Sequence, residues 1–224
     1  MFLIIGILFA QMTQAAVVNK ASQLEDPLTV AIQHFNRGKN FEDKGQTQEA
    51  LLEYDLSIKV FPGMYEAHVN RGVVLMELGK LKEAEKSILN GLVYNLDDTI
   101  AWAMLSKIHF KMELYDKSID DAEMCLKVKR ELNCYIRKGC ALEKQKNFEE
   151  AHAIYDLGLR YFKTDRDLLF NRTLMSFKLF NLEMAERDFA EFKKYHPTDK
   201  FVSFFEGGLG ELRRYKKTSK YQSI

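Results

Sequence analysis

Small and apolar positions recur along the chain with a regular period. One column of small residues repeats at intervals of 34, 34, 33 and 34 and comprises Gly38, Gly72, Ser106, Gly139 and Thr173. A second small column lies twelve residues further on and comprises Ala50, Ala84, Ser118, Ala151 and Ala185. A third column, four residues later, comprises Tyr54, Ile88, Ala122, Tyr155 and Phe189. A period of this length indicates stacked structural repeats.

Each repeat is predicted to be a helix of about 13 residues, a tight turn and a second helix of similar length. Small residues are expected where two helices cross closely, and the third column is expected to fill the space between successive helix pairs. Turn sequences such as Asp43-Lys44-Gly45 separate the two small columns. Pro62 and Pro197 stand where a second helix should end, because proline cannot continue a helix.

This pattern resembles the tetratricopeptide repeat, in which small, small and aromatic positions recur with this phase. The best copies run from His68 to Ala84 and from Trp102 to Ser118. The resemblance implies an all-α fold, a right-handed α-solenoid of about five helix-turn-helix hairpins. The five repeats are expected at residues 31–64, 65–98, 99–131, 132–165 and 166–199.

The amino-terminal end departs from the repeat. Phe2–Ala10 is an uncharged apolar run, too short to span a membrane, and Ala15 and Ala16 after it suit a cleavage point. We therefore expect residues 1–16 to be a signal peptide of an exported protein, periplasmic or secreted. No Lys or Arg precedes the run, so the alternative is an uncleaved segment that packs on the first repeat of a cytoplasmic protein. Residues 17–30 are expected to form a linker or N-cap.

The carboxy-terminal end is predicted to cap the array, because a solenoid needs a polar outer face at its end. An apolar stripe at helical spacing predicts a capping helix over residues 200–216, in which three glycines favour a bend. Residues 217–224 are expected to form a basic, solvated tail. Contact of this tail with an acidic partner or a membrane surface is the alternative.

Composition and charge argue against several classes of function. The chain has 33 basic and 32 acidic residues, and this balance gives no long-range attraction to nucleic acid. The sequence has no histidine pair at the spacing of a helical metal site, no Gly-rich phosphate loop and no nucleophile elbow. We therefore expect no enzymatic activity, no cofactor, no metal and no small-molecule substrate.

Two further sets of residues are interpreted as structural. Cys125, Cys134 and Cys140 are expected to be small packing residues, with a reactive thiol as the alternative. A column of cations lies next to the first small column and comprises Arg37, Arg71, Lys138 and Arg172. Acids on the following helix, namely Glu53, Asp121 and Asp188, are expected to receive these charges. Recognition of an acidic ligand is the alternative for the cations.

The resemblance also implies a binding surface, because first helices line the concave side of such arrays and usually hold an extended peptide or a partner helix. The first-helix positions that remain after the packing columns are removed are mostly apolar, and an exposed apolar strip usually marks a binding surface. We predict that the partner-binding groove comprises Asn36, Lys39, Asn70, Val73, Met76, Met104, Lys107, Phe110, Arg137, Phe170, Asn171, Leu174 and Phe177. The expected partner is a protein or peptide, and the chain is expected to be a monomer or weak oligomer. A self-assembling structural subunit is the alternative.

Asparagines occupy one register of this groove. Asn36, Asn70 and Asn171 are similar to the asparagine ladder of peptide-binding members, since an amide can bond both groups of a ligand's backbone. A role in helix solvation is equally consistent with their positions. Phe35, Ile100 and Met104 replace the cations of the carboxylate clamp in co-chaperone members, so a chaperone's acidic terminal motif is not expected as the ligand. An intracellular regulatory adaptor remains a second interpretation.

Overall fold

The computed structural model of the chain describes residues 25–221, with side chains through residue 218. These residues form eleven α-helices and no strand. The helices are α1 Pro27–Asp43, α2 Thr47–Val60, α3 Tyr65–Glu77, α4 Leu81–Tyr94, α5 Thr99–Lys111, α6 Tyr115–Val128, α7 Leu132–Lys144, α8 Phe148–Leu159, α9 Arg166–Lys178, α10 Leu182–Tyr195 and α11 Val202–Tyr221.

The first ten helices form five hairpins that stack in chain order, as the all-α solenoid interpretation predicts. The three periodic columns of the sequence are buried at the helix contacts. A Cβ atom added to Gly38 would lie 2.6 Å from the Tyr54 ring, and one added to Gly72 would lie 2.4 Å from the Ile88 side chain. The first column is therefore small because the third column packs directly against its backbone.

The five hairpin turns share one backbone feature. A residue with positive φ occupies the same place in each turn, and these residues are Gly45, Gly79, Glu113, Lys146 and Phe180. Glycine adopts this left-handed conformation at low cost, whereas a side chain is strained there. Turn geometry is thus retained in the last three repeats although the glycine is lost, and Phe180 is left 71% exposed.

Both ends differ in extent from the sequence expectation. Helix α1 begins at Pro27, within the expected linker, because Asp26 caps its amino terminus and proline suits the first helical position. Helix α11 continues from Val202 to Tyr221 through all three glycines and includes part of the expected tail. The predicted signal peptide lies outside the described residues. No helix between residues 25 and 221 is long and apolar enough to cross a membrane.

The cysteine interpretation was wrong for two of the three residues. Cys125, near the end of α6, is bonded to Cys134, near the start of α7, and Cys140 is a free thiol. These two positions correspond to Gly91 and Ala101 at the junction between the second and third repeats. The places that hold small residues at one junction are therefore joined by a disulfide at the next.

The cation column is largely structural. The Arg37 Nε atom lies 3.1 Å from Glu53, and the Arg172 Nε atom lies 3.4 Å from Asp188. Asp121, the third acid expected to receive a cation, instead contacts His109. Each of these pairs joins different helices, so the charges stabilise the packing of helices.

Candidate functional site

The inner face of the array is formed by the first helices of the hairpins. Consecutive first helices approach one another more closely than consecutive second helices do, so the stack curves toward α1, α3, α5, α7 and α9. Residues four and seven positions apart lie on one face of a helix, and each first helix presents such a row to the inner side. We call this surface the groove.

Most residues predicted for the first four repeats are accessible on this surface. Asn36 and Lys39 are exposed. Six more are partly exposed, namely Asn70, Val73, Met104, Lys107, Phe110 and Arg137. Asn36 and Lys39 on α1 and the six residues on α3, α5 and α7 could therefore contact a ligand directly.

Four other predicted residues are placed differently. Met76 is buried, 4% exposed, in the core between the second and third repeats. Phe170, Leu174 and Phe177 pack against the core cluster that includes residues of α11. The centre of the Phe170 ring lies 4.7 Å from that of Phe201, and the centre of the Phe177 ring lies 5.4 Å from that of Phe205. The final helix thus covers the fifth repeat, where the sequence predicted open groove, because these aromatic side chains form the core of the cap.

An open cleft of about 380 Å³ lies at the amino-terminal end of the groove. Its lining residues include Phe35 and Lys39 of α1, Asn70 of α3, Asp97 of the loop between α4 and α5, and Ile100 of α5. The Lys39 Nζ atom lies 5.9 Å from the centre of the Phe35 ring, a cation–π contact. The cleft therefore combines an apolar surface, a cation, an amide and a carboxylate.

The three asparagines of the predicted ladder are not equivalent. The Asn70 side chain lies beside the hydroxyl of Tyr54 and lowers its pKa, against the larger effects of burial and of the hydrogen bond to Glu42, which raise it. Asn36 and Asn171 make no side-chain hydrogen bond to any described residue. Asn70 thus has a structural role, whereas the other two amides are available to a ligand.

The middle of the groove carries cations that sequence reasoning identified only in part. Lys107 and Arg137 were predicted, and the Arg137 guanidinium lies 5.2 Å from the centre of the Phe110 ring. Lys111 and Lys144 are exposed on the same helix faces. Lys111 lies four residues after Lys107, and Lys144 lies seven residues after Arg137. This helical spacing was the sequence signal that could have identified them.

Other parts of the described structure offer weaker candidates. A cleft of about 360 Å³ on the outer side is lined by Asp55 and Arg71, which form an ion pair of 2.6 Å with each other. A smaller apolar cleft lies between Phe180 and Tyr215 beside the cap. Within residues 25–221, no group of three or more His, Cys, Asp or Glu residues is arranged to hold a metal ion.

The comparisons with known proteins identify the fold. No protein-family model and no curated protein sequence matches the chain. Among solved structures, the MamA protein is 16% identical, with a TM-score of 0.66 over 79% of this chain and 96% of that chain. A tetratricopeptide repeat protein from Parabacteroides merdae ATCC 43184 is 16% identical, with a TM-score of 0.71 over 86% of this chain and 77% of that chain.

A third similar structure is YrrB, described as a TPR protein with an unusual peptide-binding site. It is 17% identical, with a TM-score of 0.67 over 87% of this chain and 97% of that chain. At these identities the likeness shows the fold and leaves the ligand open. The chain is an all-α solenoid of the same kind as these proteins.

Proposed function

We propose that this chain, which has the tetratricopeptide-repeat fold, is a non-enzymatic scaffold that binds a segment of another protein in its groove. The observation that carries the proposal is the partial exposure of Val73 and Met104 on two adjacent first helices. Apolar side chains left accessible beside unbonded amides and cations favour a peptide ligand, because such a surface supplies both buried area and orienting contacts. The peptide-binding site named for YrrB agrees with this use of the fold.

Export of the protein is the second part of the proposal. The disulfide between Cys125 and Cys134 supports it, because disulfides persist in oxidising compartments and are rare in the cytosol. The apolar run Phe2–Ala10 supports it independently. Mass spectrometry of the protein from its native cells should find an amino terminus near Ala16 or Val17 and the cysteine pair oxidised. An intact Met1 with three reduced thiols would contradict export.

Site-specific crosslinking in the native cells tests the groove. A photoreactive amino acid replaces Val73 on the inner face and, as the matched control, Val93, which is 75% exposed on α4. We expect a discrete crosslinked protein from position 73 and none from position 93. A crosslink formed from position 93 alone would move the binding surface to the outer side and refute the groove.

A further inference from the structure

Four cations lie on matching faces of two first helices in the middle of the groove. Lys107 and Lys111 are four residues apart on α5, and Arg137 and Lys144 are seven residues apart on α7, so each pair shares one helix face. None of the four forms an ion pair with another described residue. We call these four residues the basic patch.

The two pairs form one surface. Helices α5 and α7 contact each other, and the Arg137 guanidinium lies over the Phe110 ring of α5 at 5.2 Å. A cation held on an aromatic face keeps its outward N–H groups available to an acceptor. Charges on both helices would therefore act together on a ligand that crosses them.

The acids of these helices and of α3 lie outside the basic patch or are engaged by another cation. On the same helices, Lys138 lies 2.7 Å from Glu123, on the side away from the groove. The nearest acid of α7, Glu143, is already engaged by Lys178 at 2.7 Å. Glu113 follows α5 in the turn and is exposed, and the corresponding row of α3 carries Glu66 and Glu77. The four cations of the basic patch thus lie on α5 and α7, with acidic side chains on the neighbouring α3.

We propose that the segment bound in the groove is acidic, a partner-protein stretch with several carboxylates where it crosses α5 and α7 and an apolar side chain toward Val73 and Met104. This inference rests on the proposed function, since it names the chemistry of the same ligand. Carboxylates complement the unpaired cations, and the guanidinium can bind one through two N–H groups. The acidic row on α3 repels the same stretch, so the charges also fix the direction in which the segment lies.

Selection from a random displayed peptide library on the full chain provides the probe. We expect the enriched peptides to be acidic, and the best of them, made synthetically, is titrated by fluorescence anisotropy. The double variant Lys111→Glu/Lys144→Glu should weaken its binding by at least about tenfold, because both side chains are exposed and their reversal leaves the fold intact. The matched control Lys82→Glu/Lys117→Glu reverses two exposed lysines of α4 and α6 and should change binding less than about twofold.

The outcomes separate this inference from the proposed function. Enriched peptides that are neutral or basic, yet lose binding in Val73→Glu, would leave the groove as the site and overturn the acidic ligand. Peptides insensitive to Val73→Glu and to the lysine reversals would overturn both. A single-stranded oligonucleotide or a vesicle of anionic lipid that binds more tightly than every selected peptide, and depends on Lys111 and Lys144, would assign the basic patch to another class of partner.

Discussion

The Nε2 atom of His152 lies 2.7 Å from the Oδ2 atom of Asp188, where the fourth repeat meets the fifth. Asp188 is fully buried, and the Ser176 hydroxyl donates to the same carboxylate oxygen. Arg172 and Arg187 approach the other oxygen at 3.4 and 3.0 Å. One buried carboxylate therefore holds groups from α8, α9 and α10 together.

Replacing Asp188 with Asn should destabilise the protein in a pH-dependent way. Burial alone would raise the pKa of Asp188, but hydrogen bonds from His152 and Ser176 and the charge of Arg172 outweigh it and lower the pKa. Stability from a lowered carboxyl pKa is present above the unfolded value of about 3.9 and is lost as pH falls toward the folded value. Thermal melts should show a loss of about 3 kcal/mol at pH 7 that shrinks below about pH 4.

The control for this prediction is Asp120→Asn, since Asp120 is exposed on α6 and forms no ion pair with a described residue. It should change stability by less than about 0.5 kcal/mol at either pH. An Asp188→Asn variant with the same deficit at pH 3 as at pH 7 would show that packing, and not the charge, is what Asp188 supplies.

The junctions between repeats alternate in chemistry. The junction between the second and third repeats has three equivalent positions. There Glu85 replaces His152, His109 replaces Ser176, and Asp121 occupies the position of Asp188. Both ring nitrogens of His109 contact carboxylate oxygens, at 2.5 Å from Asp121 and 3.0 Å from Glu85. At the first and third junctions the same places are largely apolar. Among the described residues, the buried carboxylates Asp121 and Asp188 thus lie at the second and fourth junctions.

Removing the disulfide should destabilise the third junction, where the bond joins α6 to α7 beside the ion pair of Lys138 with Glu123. The bond closes a short loop, with a sequence separation of 9 between its ends, and chain entropy predicts a contribution of about 2–3 kcal/mol. Cys125→Ser/Cys134→Ser should therefore melt earlier than the oxidised chain by about that free energy. Cys140→Ser, which leaves the bond in place, is the control. Equal melting of the double variant and the oxidised chain would mean that the packing of α6 on α7 holds this junction without the bond.

The fold was predictable because its strongest constraints are local and periodic. Gly72 and Ile88 pack directly on each other sixteen residues apart, so the constraint appears as two columns with a fixed offset. The disulfide was missed since Cys125 and Cys134 belong to different helices, and the repeat period does not show which residues of neighbouring repeats meet. Groove residues of the fifth repeat were misplaced for a related reason: sequence periodicity does not reveal that α11 covers them.

Two glycine substitutions should act in opposite directions. A Cβ atom at Gly139 would lie 2.4 Å from the ring of Tyr155, which is fully buried and cannot move aside. Gly139→Ala should lower stability because an overpacking cost of roughly 1–3 kcal/mol exceeds the helix-propensity gain of about 1 kcal/mol. Gly210→Ala, with no atom within 4 Å of the new Cβ, should instead raise stability by about 1 kcal/mol. Chemical denaturation of both variants checks this, and a stabilised Gly139→Ala would contradict the close helix crossing.

The two inner asparagines Asn70 and Asn171 should separate structure from binding. Asn70→Ala removes the amide beside the buried Tyr54 hydroxyl and should lower the free energy of unfolding by about 1 kcal/mol. Asn171 has no such partner among the described residues, so Asn171→Ala should leave stability within about 0.5 kcal/mol of the parent chain. If its free amide bonds the backbone of the bound segment, the same variant should weaken peptide binding by several-fold, about 1 kcal/mol for one hydrogen bond. Denaturation and anisotropy titration on the same preparations distinguish the two roles. Should Asn171→Ala destabilise the fold and leave peptide affinity unchanged, the bound segment ends before the fifth repeat, at the point where α11 covers the groove.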